Sequence, residues 1–175
     1  MDLKRKEFRI QKWPKRTEKR KIGLDSCVLI ELIDRPEFFN NKAADIFKEK
    51  NLIFTHRLCV KETVNWLVKK RGELPEEAEE KVKEFLSEKN ISVTRRRASK
   101  AEVKALYEEC ERNDVRIHPP DSFIIADFAK AGINTCYSIN NHFVDVCRVA
   151  EIDGIKFPTF EREIKEKFKE LFGAQ

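Results

Sequence analysis

The feature that most constrains the fold of this chain is the stretch from His118 to Phe143, HPPDSFIIADFAKAGINTCYSINNHF. Its two prolines suit the first turn of a helix and put Asp121 near the positive end of that helix, where a carboxylate is favoured. Gly132 is a natural helix stop, and the run from Thr135 to Ser138 predicts a buried strand. Because chemistry in open α/β sheets sits beyond the carboxyl ends of the strands, the stretch predicts half of an active site.

The rest of the chain repeats this alternation of short apolar strands and amphipathic helices. Strands are predicted at residues 22–24, 52–54, 91–93, 135–138 and 155–157. Helices are predicted at residues 27–33, 41–50, 60–70, 75–86, 99–110 and 119–131, with a C-terminal amphipathic helix through 160–172. Strands that alternate with helices in this way indicate a mainly parallel sheet covered on both faces.

Positive charge is concentrated at the N-terminus. The formal net charge is +5, yet residues 1–21 hold ten Lys or Arg against three acidic residues, and the rest of the chain sums to −2. We expect a basic arm at residues 1–20 followed by a single domain at 21–175. The arm is either a solvated tail or a phosphate-binding segment in which Lys19 and Arg20 contact nucleic acid.

Composition disfavours membrane, secreted and zinc-binding classes. Hydrophobic residues make up 41% of the chain, and no apolar run approaches the length of a membrane span. The N-terminus lacks the apolar segment of a secretion signal. Five cysteines without CxxC spacing are typical of small core residues in a reducing compartment. We therefore expect a soluble, cytoplasmic protein with no membrane association.

Three acids stand where this topology can bring them together. Asp25 follows the first strand, Glu62 lies in the helix after the second, and Asp121 begins the helix before the fourth. Taken singly, each could be a helix cap or a solvated helix acid. Together they indicate a divalent cation, because clustered carboxylates repel one another. Oxygen ligands suit Mg²⁺ or Mn²⁺, which can activate water against a phosphodiester.

These segments resemble the motifs of the PIN-domain ribonucleases, a family that includes the VapC-type toxins of toxin–antitoxin pairs. They are IGLDSCVLI, VKETVNWL and DSFIIADFAKAGINTCYSINNHF, and the resemblance covers about residues 21–158. The resemblance implies a three-layer α/β/α sandwich with a five-stranded, mainly parallel sheet. It also implies a Mg²⁺- or Mn²⁺-dependent endoribonuclease, a homodimer, and an antitoxin or other protein as a partner. By the same resemblance Asp25, Glu62 and Asp121 would be the metal ligands.

The chain departs from the family pattern after the fourth strand. Members usually have Thr or Ser, any residue and then Asp, whereas here Asn140 stands two residues after Ser138. Asparagine can lend a metal an oxygen but no charge. Asp127 or Asp145 could compensate as a ligand, although Asp127 lies about 240° around a helix from Asp121. We expect Ser138 and Asn140 to belong to the site, and metal binding to be weaker than in other members.

Other features leave alternatives open. The run Arg95, Arg96 and Arg97 is either a solvated loop or a set of phosphate contacts, and single-stranded RNA would suit such backbone-led binding. The main rival function is a catalytically weak or inactive PIN-like module that binds RNA or a protein partner. A haloacid-dehalogenase-type phosphatase needs an acid where Cys27 stands, and a phosphotransfer receiver needs adjacent acids and a Lys that this chain lacks. His56, His118 and His142 have no recognised metal-ligand spacing.

Overall fold

The five strands form one parallel sheet. In the computed structural model, the described residues are 19–39, 41, 43–94 and 97–159. The strands are β1 Lys21–Leu24, β2 Leu52–Thr55, β3 Ile91–Val93, β4 Thr135–Ser138 and β5 Asp153–Lys156. Their order across the sheet is β3-β2-β1-β4-β5, and every neighbouring pair is parallel. The predicted α/β fold with a central five-stranded sheet is confirmed.

The helices of the described residues connect these strands. They are α1 Ser26–Asp34, α2 Pro36–Phe39, α3 Arg57–Trp66, α4 Pro75–Glu88, α5 Lys100–Arg112, α6 Pro119–Lys130 and α7 Asn141–Val149. A π-helical turn, Leu67–Arg71, extends α3 and ends at Gly72, whose φ of 69° is left-handed. The predicted capping box of Ser99 and Glu102 begins α5.

The helices pack in two groups and so give the sandwich its outer layers. On one side α1 contacts α3, and α3 contacts α4; on the other, α5, α6 and α7 contact one another. Helix α6 approaches the sheet closely, because a Cβ on Gly23 of β1 would lie 2.8 Å from the ring of Phe128. Within the described ranges no helix has both the length and the apolar character needed to cross a bilayer.

The sheet order places the candidate site. From β1 the chain moves outward to β2 and β3, and from β4 it moves the other way to β5. Adjacent loops therefore diverge between β1 and β4, which leaves a crevice beyond the carboxyl ends of these two strands. Asp25 directly follows β1, and Ser138 ends β4.

The prediction of a helix at residues 41–50 is wrong. The described residues of this segment form successive turns. Ala43 and Ile46 are buried from these turns, as helical periodicity would require. The Asn51 side chain, however, donates to the carbonyl oxygens of Asp45 at 2.9 Å and Ile46 at 3.0 Å, and so takes acceptors that a continuing helix would use.

Helix α7 is a finding that the sequence analysis did not anticipate. Asn140, predicted only as a polar residue beyond a strand, caps this helix and accepts the N–H of His142 at 3.0 Å. Other predictions cannot be compared with the structure. The C-terminal helix through 160–172, residues 1–18 of the basic arm, Arg95 and Arg96 lie outside the described residues.

Candidate active site

Asp25 is buried at the start of α1, where a network of donors fixes its carboxylate. Oδ1 accepts the Ser26 N–H at 2.7 Å and so caps the helix. Oδ2 accepts the Ser138 hydroxyl at 2.6 Å and the Cys27 thiol at 3.0 Å. The Asp25 N–H donates to the carbonyl oxygen of Tyr137 at 3.1 Å, which joins the β1–α1 turn to β4. The acid is thus held in one orientation by groups from α1 and from the end of β4.

Asp121 lies half-buried in the first turn of α6, within electrostatic reach of the other two acids. Burial, with the negative charges of Asp25 and Glu62, raises the pKa of its carboxyl to about 6, whereas His118 and His142 act in the opposite direction. Glu62 is exposed on α3. The structure therefore brings the three predicted acids into one electrostatic group.

The group suits a hard divalent cation in its chemistry. Its donors are carboxylate oxygens, and their mutual repulsion is the kind that a bound cation relieves. Across residues 19–159, leaving out the undescribed gaps, no three His, Cys, Asp or Glu side chains already stand close enough to hold a metal ion. Glu62, long and exposed, is the acid best able to turn toward the other two.

Ser138 and Asn140 link Asp25 to α7. Ser138 is fully buried, donates to Asp25, and accepts the Asn140 N–H at 3.0 Å. The Asn140 side chain is exposed, and its oxygen is engaged in capping α7. At this position the chain therefore offers a helix cap with no negative charge.

Asp127 and Asp145 are engaged elsewhere. Asp127 is buried, with Oδ2 2.8 Å from His56 Nε2 and Oδ1 accepting the Ala98 N–H. Asp145 pairs with Arg148 at 3.1 Å on α7. Neither acid is among the charges that shift the pKa of Asp121. The structure does not bring either one into the group of Asp25, Glu62 and Asp121.

Two residues at or near the site were not assigned these contacts from the sequence. Cys27 touches Asp25, and burial together with the charge of Asp25 raises the pKa of the Cys27 thiol to about 12. His56 caps α3 and pairs with Asp127. The signal for His56 was its place between a strand and a helix. For Cys27 only its closeness to Asp25 in the chain could have suggested the contact.

Basic residues predicted to contact nucleic acid are exposed where the structure describes them. Lys19 and Arg20 precede β1, whereas Arg97 lies between β3 and α5. Lys19 and Arg20 thus approach the amino end of β1, and Arg97 belongs to a connection that begins at the carboxyl end of β3. In a parallel sheet these are opposite edges, and Arg97 is on the edge that holds the acids.

Comparison with known proteins agrees with the fold. A family model described as the PIN domain matches residues 22–149. The fold is similar to a crystal structure of VapBC2 from Rickettsia felis bound to a DNA fragment from its promoter, with a TM-score of 0.59 and 18% identity over 79% of this chain and 99% of that chain. It is also similar to DNA-bound VapBC from Salmonella typhimurium, with a TM-score of 0.55 and 18% identity over 78% and 98%. No curated protein matches the chain. Because the family model spans well over half of its length, the chain belongs to the PIN-domain family.

Proposed function

We propose that this protein is a metal-dependent endoribonuclease that hydrolyses phosphodiester bonds of single-stranded RNA. The observation that carries the proposal is the placement of Asp25 after β1, held by Ser26 and Ser138, and of Asp121 in the first turn of α6, where burial and the charges of Asp25 and Glu62 raise its pKa to about 6. Burial and the charges of Asp25 and Glu62 disfavour the ionised form of Asp121 in the metal-free protein, and a divalent cation would favour it. Membership of a nuclease family supports the same reading.

The three acids have different parts in this proposal. Asp25 is the preorganised ligand, because Ser26, Cys27 and Ser138 already fix its orientation. Asp121 holds a proton more readily than an ordinary aspartate and would have to release it to serve as a ligand. Glu62 completes the set by turning inward. A bound Mg²⁺ or Mn²⁺ would supply an attacking water of lowered pKa and charge for the phosphate oxygens.

RNA binding in this proposal uses the basic residues around the domain. Arg97 contacts phosphate on the edge of the sheet that holds the acids. Lys19 and Arg20, with Arg95 and Arg96, extend the contacts along the strand. Arginine suits this task because its planar guanidinium matches a phosphate with two hydrogen bonds.

Cleavage of an end-labelled single-stranded RNA tests the function. We expect the purified full chain to cut with Mn²⁺ or Mg²⁺ and not with EDTA, and Asp25→Asn to abolish cutting. Asp145→Asn is the matched control, since Asp145 pairs with Arg148 outside the acidic group. Cutting in EDTA, or unchanged cutting by Asp25→Asn, would refute the site assignment.

A second candidate is a PIN module kept for binding rather than cleavage. The observation that favours it is Asn140, which replaces the usual acid and is engaged in capping α7. Salt-sensitive RNA binding without cleavage under any metal would support this candidate against the first.

The related structures, which are VapBC complexes, support a proposal about partners. We propose that this protein also binds an antitoxin-like partner, forms a homodimer and works in the cytoplasm. Light scattering on the purified chain tests the dimer, and a mass of one chain at micromolar concentration would contradict it.

A further inference from the structure

A buried His–Asp pair lies apart from the acidic group. His56 is 3% exposed and Asp127 is 6% exposed, and His56 Nε2 is 2.8 Å from Asp127 Oδ2. His56 Nδ1 accepts the Leu58 N–H at 3.2 Å, so the ring carries its proton on Nε2 and donates it to Asp127. Burying a carboxylate is costly unless its oxygens are hydrogen-bonded. Both oxygens of Asp127 are hydrogen-bonded, Oδ2 to His56 and Oδ1 to a backbone N–H outside the pair.

That second bond holds the backbone next to Arg97. Asp127 Oδ1 accepts the N–H of Ala98, the residue after Arg97. The connection between β3 and α5 is held at its start as well, because the Thr94 N–H donates to the carbonyl oxygen of Thr55 at 2.8 Å. Thr55 and His56 are adjacent in the chain, so the end of β2 contributes to both anchors. Arg97 therefore extends from backbone that Ala98 ties to Asp127 of α6.

We propose that Asp127 is a positioning residue for RNA binding, which with His56 holds Arg97 where its guanidinium meets a phosphate of the bound strand. The inference rests on the proposed function. It gives Asp127, which the sequence suggested as a metal ligand, a positioning role instead. It makes the pair a determinant of RNA affinity and leaves the affinity for metal to Asp25, Glu62 and Asp121.

The placement of Arg97 suits this task. Its connection leaves the carboxyl end of β3, two strands from β1, so the two strand ends are roughly 10 Å apart. An RNA strand bound at Asp25 can reach across such a distance and place a neighbouring phosphate near Arg97. Arg97 is exposed, and no acidic side chain in the described part of the chain forms an ion pair with it. Anchoring the adjacent backbone lowers the entropy that Arg97 loses on binding.

RNA affinity measured in EDTA tests the proposal without interference from cleavage. The probe is a fluorescent single-stranded RNA, titrated with the full chain. Asp127→Ala is expected to weaken binding about tenfold, the value of one charge-assisted contact. Asp127→Asn is the gentler variant, since an amide can still accept from Ala98 but places N–H groups against His56. It is expected to weaken binding severalfold while remaining folded.

Two further readouts separate positioning from a general structural role. Thr63→Val removes another buried hydrogen bond, from Thr63 to the Cys59 carbonyl at 2.8 Å on α3, and should lower thermal stability without changing RNA affinity. Calorimetric Mn²⁺ affinity should be the same in wild type, Asp127→Asn and Thr63→Val. A loss of Mn²⁺ affinity in Asp127→Asn would overturn the proposal and return Asp127 to the metal site.

A double-mutant cycle with Arg97→Ala decides whether Asp127 acts through Arg97. We expect Asp127→Asn combined with Arg97→Ala to bind RNA no more weakly than Arg97→Ala alone. Effects that multiply, or an Asp127→Asn variant that binds like wild type, would overturn the inference while leaving the proposed function standing. A wild-type chain that binds no RNA would overturn both.

Discussion

Asp25 and Asp121 belong to one acidic group but sit in different surroundings. Asp25 accepts hydrogen bonds from Ser26, Cys27 and Ser138, and its replacement by asparagine would put an amide N–H group against the Cys27 thiol and the Ser138 hydroxyl. Asp121 is half-buried, and burial and neighbouring charge raise its pKa. Repulsion alone predicts that neutralising either acid leaves thermal stability undiminished. Because Asp25 makes these hydrogen bonds, we expect undiminished thermal stability only for the replacement of Asp121.

Asp121→Asn should stabilise the metal-free protein at pH 7.5 but not at pH 4. The folded-state pKa of about 6 exceeds the unfolded value, so the folded protein binds this proton more tightly. Wild-type stability therefore falls as pH rises from about 4 to about 6 and stays lower above that. We expect a gain of about 1 kcal/mol at pH 7.5, reduced from the fully buried case because water screens a half-exposed group.

Thermal unfolding in EDTA at the two pH values measures this effect. A gain of that size corresponds to an increase in Tm of about 2–4 °C for a chain of this length. Equal Tm differences between variant and wild type at pH 4 and pH 7.5 would mean that burial and the charges of Asp25 and Glu62 do not raise the pKa of Asp121.

At the scale of elements, Asn140, which stands where family members usually have Asp, has a structural role as the N-cap of helix α7. Asn140 caps the helix, and its backbone N–H binds Ser138, which in turn binds Asp25. Asparagine and aspartate are comparable N-caps, and a negative charge is favoured at a helix N-terminus. The residue can therefore be changed in charge with little cost to the fold.

Asn140→Asp is expected to tighten Mn²⁺ binding about tenfold, because it would add a fourth carboxylate at a residue that Ser138 links to Asp25, while the cap is kept. Calorimetric titration of Mn²⁺ measures the change. Asn140→Ser is the matched control, since serine also caps a helix but adds no charge, and its Mn²⁺ affinity should equal that of wild type. Unchanged affinity in Asn140→Asp would place this position outside the metal site.

Gly154→Ala tests how closely α7 packs on β5. A Cβ at Gly154 would lie 2.6 Å from the carbonyl oxygen of Val144, which belongs to the helix backbone and cannot rotate away. We expect a loss of about 2 kcal/mol in the free energy of unfolding, typical of overpacking. Asp153→Ala, at an exposed neighbouring position, should change it by less than about 0.5 kcal/mol. Denaturant titrations that show equal stability for both variants would contradict the packing.

The elements that could be predicted are those whose signals are local. Ser99 and Glu102 form a capping box whatever the rest of the chain does, and the apolar runs of β1 and β4 need only burial. The segment 41–50 failed because Asn51, outside it, takes its carbonyl groups. Cys27 contacts Asp25, two residues away, and Ser138, which is distant in the chain. His56 contacts Asp127, which is also distant in the chain. Periodicity carries no information about such contacts.

At the scale of the whole molecule, the acidic group raises an electrostatic problem for a nuclease. Asp25, Glu62 and Asp121 repel the phosphates that they are proposed to act on, and α4 adds further acids, including Glu76 and Glu77. Positive charge must therefore come from elsewhere in the chain. Residues 1–18 hold seven Lys or Arg and three acidic residues, so their removal would lower the formal net charge from +5 to +1.

Deletion of residues 1–18 should accordingly weaken RNA binding and flatten its dependence on salt. Each phosphate neutralised on a single strand contributes about 0.7 to the slope of log affinity against log salt. If the arm engages three phosphates, the slope should fall by about 2 in magnitude. Fluorescence anisotropy with single-stranded RNA in EDTA, across a range of KCl concentrations, measures this for full-length and shortened chains. Mn²⁺ affinity serves as the control, because the acidic group lies wholly within residues 19–159 and should bind metal equally in both. A shortened chain with an unchanged slope would show that the arm is a solvated tail, and that the described domain supplies the phosphate contacts alone.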